Sequence, residues 1–138
     1  VFQNANPDYV NEMAEIVKLD FVQLHGKEDA EYMKKIKNNI IKTVHIDDEI
    51  TENDLVANYL LDRSLQGEGK MVDLSKARVL AEKFDIFFAG GLTPKNVADV
   101  VSMVRPYAVD VAGGIETDGK EDPAKIEEFI ANAKGVIL

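Results

Sequence analysis

There is no cysteine and no tryptophan among the 138 residues, and histidine occurs only twice. The first absence excludes disulfides, thiolate nucleophiles and cysteine-ligated metals within this chain. With Lys and Arg numbering 16 against 25 Asp and Glu, the formal net charge is −9, which argues against a nucleic-acid backbone as partner. A local ring of backbone amides can still hold a small phosphorylated metabolite against that global charge. The apolar runs fall far short of a membrane span, and no basic stretch followed by an apolar one reads as a signal peptide. These features predict no membrane association and a cytoplasmic location. Four prolines, nine glycines and 46% hydrophobic residues are ordinary for one globular domain with one sizeable core, predicted over 1–138.

What the chain does have is a repeated strand, glycine loop and helix. At 85–94 the sequence is D-I-F-F-A-G-G-L-T-P: an apolar strand at 86–89, then Gly90 and Gly91 for a tight turn, then Thr93 as N-cap with Pro94 opening a helix. A second strand at 107–111, containing Asp110, runs into Ala112, Gly113 and Gly114. Two neighbouring strand ends with glycine loops predict one shared phosphate site built from backbone N–H groups.

Around these lies a regular alternation. A helix from Asn6 and Pro7 presents Val10, Met13, Ala14 and Val17 on one face, and a strand at 20–24 ends at His25 and Gly26. A second helix is predicted to reach Asn38, then a β-branched strand at 40–46 and a short helix ending near Val56. A strand at 59–62 follows, then a helix face of Ala77, Leu80, Ala81 and Phe84. Val97, Val100, Val101 and Val104 line another helix, and the last, from Pro123 to Ala133, is capped by Asp122 and turns Ile126, Phe129, Ile130 and Ala133 inward. Counting residues near Val1 as the first strand gives six strand–helix units. Such alternation predicts an α/β fold, either a doubly wound sheet or part of a (βα)8 barrel, and 138 residues are too few for eight units. No dinucleotide fingerprint and no Walker-type phosphate loop is present.

The polar candidates follow the strand ends. Asp62 closes the strand at 59–62, where a barrel keeps its reactive groups, so it is read as a general acid or base, with loop capping or pairing to Arg63 as the alternative. Asp110 is read as orienting a substrate hydroxyl or as a satisfied structural carboxylate. His25 either contacts ligand or bonds to loop backbone. His45 belongs to a strand or its end, and the two histidines with scattered carboxylates form no metal spacing. Gln66-Gly67-Glu68-Gly69-Lys70 reads as a mobile lid in which Lys70 attracts an anion, or as an ordinary exposed turn.

These segments resemble phosphoribosylanthranilate isomerase, a (βα)8-barrel family of tryptophan biosynthesis. The resemblance is carried in order by F-V-Q-L-H-G at 21–26, L-L-D at 60–62, G-E-G-K at 67–70, A-G-G-L-T-P-K-N-V at 89–97, R-P-Y-A-V-D-V-A-G-G-I-E at 105–116 and K-E-D-P-A-K-I at 120–126. It implies a cofactor-free Amadori rearrangement of a small phosphorylated aromatic amine. By that resemblance Asp62 is the general acid that protonates the furanose ring oxygen, and Gly90, Gly91, Gly113 and Gly114 hold the phosphate through backbone amides. Asp110 lies near the ribose. Where the family often has Ser-Ser-Gly, this chain has Ala112-Gly113-Gly114, which removes hydroxyl contacts and keeps the amides. The family's first strand carries a Lys-Ile-Cys-Gly segment whose cysteine the resemblance makes the general base that removes the C2 proton, and no cysteine occurs here.

The resemblance therefore implies the third to eighth βα units of the barrel without the first two, and without an arginine from that region that helps bind substrate. A six-unit portion leaves strand edges that predict self-association or a second chain supplying the missing units. Two alternatives stand beside the isomerase reading. One is a catalytically incomplete folding or assembly fragment of the same enzyme, and the other is a different phosphate-binding barrel enzyme such as an epimerase or aldolase.

Overall fold

The computed structural model describes residues 1–50, 53–62 and 74–136. Five parallel strands form one sheet in sequential order: β1 (Phe21–Leu24), β2 (Asn39–Val44), β3 (Val56–Asp62), β4 (Ile86–Ala89) and β5 (Ala108–Val109). Helices α1 (Pro7–Val17), α2 (Ala30–Met33), α3 (Leu74–Ala81), α4 (Val97–Val104) and α5 (Pro123–Lys134) alternate with them. A 3-10 turn at Gly113–Ile115 and a small hairpin of β6 (Glu116–Thr117) and β7 (Lys120–Glu121) lie between β5 and α5.

The sixth strand expected near Val1 is reduced to a single bridge, Phe2 with Leu24. Phe2 donates to the Gln23 carbonyl and accepts from the His25 N–H, both at 2.8 Å. Two residues later Asn4 turns into the left-handed region (φ 51°), which takes the chain out of the sheet. Helix starts follow their caps. The Asn6 side chain accepts from the Asp8 N–H and Asp122 from the Ala124 N–H, each followed by proline at the first helical position.

Several expected boundaries move, each for a local reason. Helix α2 stops at Met33 rather than near Asn38, because the Lys35 and Ile36 N–H groups bond three residues back and close it as a turn. Strand β2 ends at Val44 because the Asp48 carboxylate takes the His45 N–H at 2.7 Å. The predicted helix before Val56 is instead a turn on Asn53, whose side chain and carbonyl accept from Leu55 and Val56, and β3 starts three residues earlier than expected. Helix α4 begins at Val97, with 94–96 as a turn beneath it, so Thr93 and Pro94 do not cap it directly. Strand β5 keeps two residues of the five predicted.

Alternation along the strands separates two faces. Val22, Leu24, Ile40, Leu61, Ile86 and Phe88 are buried. The core forms two clusters, one of α1, β1, α2 and β2 around Val10, Leu24 and Ile40, the other of β3, β4 and α3 to α5 around Phe88, Val97 and Phe129. Val56 packs against both. Two expected core residues are surface-exposed: Val17 in the last turn of α1, and Ile130 on α5. The other row, Gln23 on β1, Thr43 on β2 and Asp62 on β3, carries polar groups toward the carboxyl edge of the sheet.

Candidate active site

At the carboxyl ends of β3, β4 and β5 lies a cavity of about 470 Å³ lined by Asp62, Gly90, Gly91, Asp110, Gly113 and Gly114. Asp62 is the last residue of β3 and pairs in register with Ala89, so the carboxylate stands directly beside the first glycine loop. Gly90 and Gly91 both take left-handed conformations (φ 84° and 65°), which glycine adopts without a Cβ penalty. Asn96 fixes that loop from behind: its side-chain oxygen accepts from the Thr93 N–H at 2.8 Å and its amide donates to the Gly91 carbonyl at 3.0 Å.

The second loop touches the first. A Cβ on Gly114 would lie 1.7 Å from the Leu92 carbonyl oxygen, so only glycine permits this approach. Gly113 and Gly114 open the 3-10 turn, whose leading N–H groups lack intrahelical acceptors by geometry. Asp110 is exposed at the rim and is anchored through its own N–H to the Phe88 carbonyl at 2.9 Å.

His25 lies outside the cavity lining but reaches its acid: Nε2 is 3.7 Å from Asp62 Oδ2, with side chains 25% and 14% exposed. On its other side Nδ1 is 3.2 Å from Thr43 Oγ1 and 3.4 Å from Gln23 Nε2. The loop after β1 that carries His25 is clamped by Glu28. This buried carboxylate accepts from the Asn4 and Gly26 N–H groups at 2.7 and 2.9 Å and pairs with Lys42 at 2.9 Å. Lys42 in turn donates to the Gly26 carbonyl at 2.6 Å. Burial pushes the Glu28 carboxyl up, but the Asn4 amide and the Lys42 ammonium outweigh it and hold the group below its ordinary value.

The structure thus gathers Asp62, Asp110 and the four glycines at one cavity and sets His25 against Asp62. His45 stays apart, tied through its backbone to Asp48. The proposed lid of Gly67, Gly69 and Lys70 lies outside the described residues. Among the described residues no group of three or more His, Asp or Glu side chains converges to hold a metal ion, and no helix is long and apolar enough to cross a membrane. Sequence reasoning missed Gln23, Thr43, Glu28, Lys42 and Asn96. The i, i+2 spacing of Gln23 and His25, which puts both on one strand face, is the one signal that pointed to a polar pair.

A sequential parallel βα sheet with an acidic strand end and two touching glycine loops at its carboxyl edge defines an α/β protein of the TIM-barrel type. The family model for N-(5'phosphoribosyl)anthranilate (PRA) isomerase matches residues 1–132, and the chain belongs to that family. It is 41% identical over 146 residues to the N-(5'-phosphoribosyl)anthranilate isomerase of Geotalea uraniireducens (strain Rf4), an alignment covering 99% of this chain and 71% of that protein. The crystal structure of phosphoribosyl anthranilate isomerase from Thermotoga maritima superposes with a TM-score of 0.79 at 35% identity, covering 98% of this chain and 71% of that one. A phosphoribosyl anthranilate isomerase in complex with reduced 1-(o-carboxyphenylamino)-1-deoxyribulose 5-phosphate matches with a TM-score of 0.78 at 33% identity, over 98% of this chain and 70% of that one.

Proposed function

We propose that this chain supplies the general acid and the phosphate site of an isomerase that converts N-(5-phosphoribosyl)anthranilate into the corresponding 1-deoxyribulose 5-phosphate. The observation that carries this reading is the single cavity shared by Asp62 and both glycine loops. In the proposed reaction Asp62 protonates the furanose ring oxygen. The anilinic nitrogen pushes its lone pair toward C1, the C1–O bond breaks and a protonated imine forms. A base then removes the C2 proton, and the resulting enolamine tautomerises to the aminoketose. The backbone amides of Gly90, Gly91, Gly113 and Gly114 hold the phosphate, and Asp110 and His25 orient the open sugar. None of these steps calls for a cofactor.

The resemblance gives the base as a cysteine, and these 138 residues contain none. In this reading the 138 residues correspond to the third to eighth βα units, and the base and a substrate-binding arginine come from a segment beyond them. The alignment covers 71% of the Geotalea protein, so part of that relative has no counterpart in these residues. The test is turnover of phosphoribosylanthranilate, followed by loss of substrate fluorescence, for the chain alone and mixed with a polypeptide carrying the family's first two units. Activity is expected only in the mixture, and Asp62→Asn is expected to lower it by about 10²- to 10⁴-fold. Unchanged turnover in Asp62→Asn would remove the acid assignment.

A further inference from the structure

Gln23, His25 and Thr43 form a polar cluster on the sheet face that carries Asp62. Gln23 Nε2 lies 3.4 Å from both His25 Nδ1 and Thr43 Oγ1, and Thr43 Oγ1 lies 3.2 Å from Nδ1. An amide nitrogen donates and does not accept. If Gln23 donates to Nδ1, that ring nitrogen is the acceptor. If Gln23 donates instead to the Thr43 oxygen, the threonine hydroxyl either turns its hydrogen to Nδ1 or uses its second lone pair to accept from an Nδ1–H. With Gln23 or the threonine hydrogen directed at Nδ1, that nitrogen carries no proton and a neutral imidazole holds its hydrogen on Nε2, the nitrogen that faces Asp62 Oδ2 at 3.7 Å. Thr43 is 8% exposed, so water competes little for its hydroxyl.

We propose that Thr43 and Gln23 fix the Nε2–H tautomer of His25, and that His25 aims this N–H at Asp62, which makes all three positioning residues for the acid. The proposal rests on the reading of Asp62 given under Proposed function. When Asp62 gives its proton to the ring oxygen, negative charge develops on the carboxylate. An N–H held at Oδ2 stabilises that charge. The 3.7 Å separation needs to shorten by less than about 1 Å to become a hydrogen bond, and catalytic hydrogen bonds are often long before substrate arrives.

The test begins with 15N NMR of the imidazoles of this chain, read on the alkaline plateau where the ring signals no longer move with pH. The expected spectrum has Nδ1 unprotonated and Nε2 protonated, with the Nε2–H hydrogen protected from solvent exchange. Asp62→Ala is expected to speed that exchange, and Thr43→Val to shift the ring toward the Nδ1–H form, while Thr43→Ser, which keeps the hydroxyl, restores it. An Nδ1–H ring in the parent chain, or an Nε2–H exchange rate unchanged in Asp62→Ala, overturns the proposal. In the mixed isomerase assay Thr43→Val is expected to lower kcat about tenfold with KM little changed. Normal kcat in Thr43→Val overturns the positioning role and leaves the isomerase reading standing. A parent mixture with no turnover counts against the isomerase reading, while the imidazole spectra still decide the tautomer and its contact with Asp62.

Discussion

At Gly114 a Cβ would stand 1.7 Å from the Leu92 carbonyl oxygen, whereas at Gly113 it would meet nothing within 4 Å. Two adjacent glycines that look equivalent in sequence therefore do different things. Gly114 is required for the contact between the loops, and Gly113 needs only its N–H at the cavity wall. Gly114→Ala is expected to lose about 2 kcal/mol of stability by forcing backbone apart, and Gly113→Ala to stay within about 0.5 kcal/mol of the parent in urea unfolding. Phosphate affinity, read by titration with the reduced product analogue, should fall in Gly114→Ala and change little in Gly113→Ala. Equal behaviour of the two variants would remove the distinction.

The loop between β1 and α2 is held by the pairing of Glu28 with Lys42 on β2, so the element that carries His25 is tied to its neighbour by charge as well as by the sheet. Glu28 titrates below its ordinary value in the folded chain and near it, at about 4.5, when unfolded. Its contribution to stability is fully present above that unfolded value and is lost as pH falls through the lower folded one. Removing one partner of a buried pair is costly, so Glu28→Gln should lose about 3 kcal/mol near neutral pH. The loss should shrink in acid, giving a flatter acid limb in unfolding measured against pH. A constant difference between the two proteins from neutral pH into acid would rule this out.

How much of this scale was legible follows from where the signals were local. Asn6-Pro7 and Asp122-Pro123 announce α1 and α5, and both caps form. Asp62, Gly90, Gly91, Gly113 and Gly114 stand out because strand ends and paired glycines are visible in one dimension, and they do share a cavity. Helix ends were harder, since α1 and α4 stop at Lys18 and Arg105, left-handed residues (φ 57° and 53°) where glycine would usually mark the stop. The β6–β7 hairpin was overlooked although Asp118-Gly119, both with positive φ, is a strong two-residue turn signal. Glu28 with Lys42, and Thr43 with His25, were hidden for another reason. Each pair is 14 or 18 residues apart and meets only once β1 and β2 are in register.

Among the described residues, the sheet ends at β1, covered on its outer side only by the bridge to Phe2, and at the two-residue β5. Phe21 and Tyr107 near those edges are 43% and 69% exposed. Open edges beside exposed aromatics favour pairing with another chain, while a net charge of −9 opposes bringing copies together. The expected outcome is a concentration-dependent mass above the 15.3 kDa monomer in sedimentation, strengthened by salt that screens the repulsion and weakened by Tyr107→Lys. A monomer at every concentration and salt level would exclude it.

The order of the sheet has a temporal side. Each strand from β2 to β5 pairs with the one immediately before it in the chain, so no strand waits for a later one to find its place. Pairing with a predecessor keeps the loops to be closed short, which favours rapid assembly. A chain built this way can add each new strand to a finished edge as synthesis proceeds from the ribosome. Loss of β5 would remove only the last strand laid down, whereas deletion of β3 would break the sequence of docking in the middle and take from β4 the strand it pairs with.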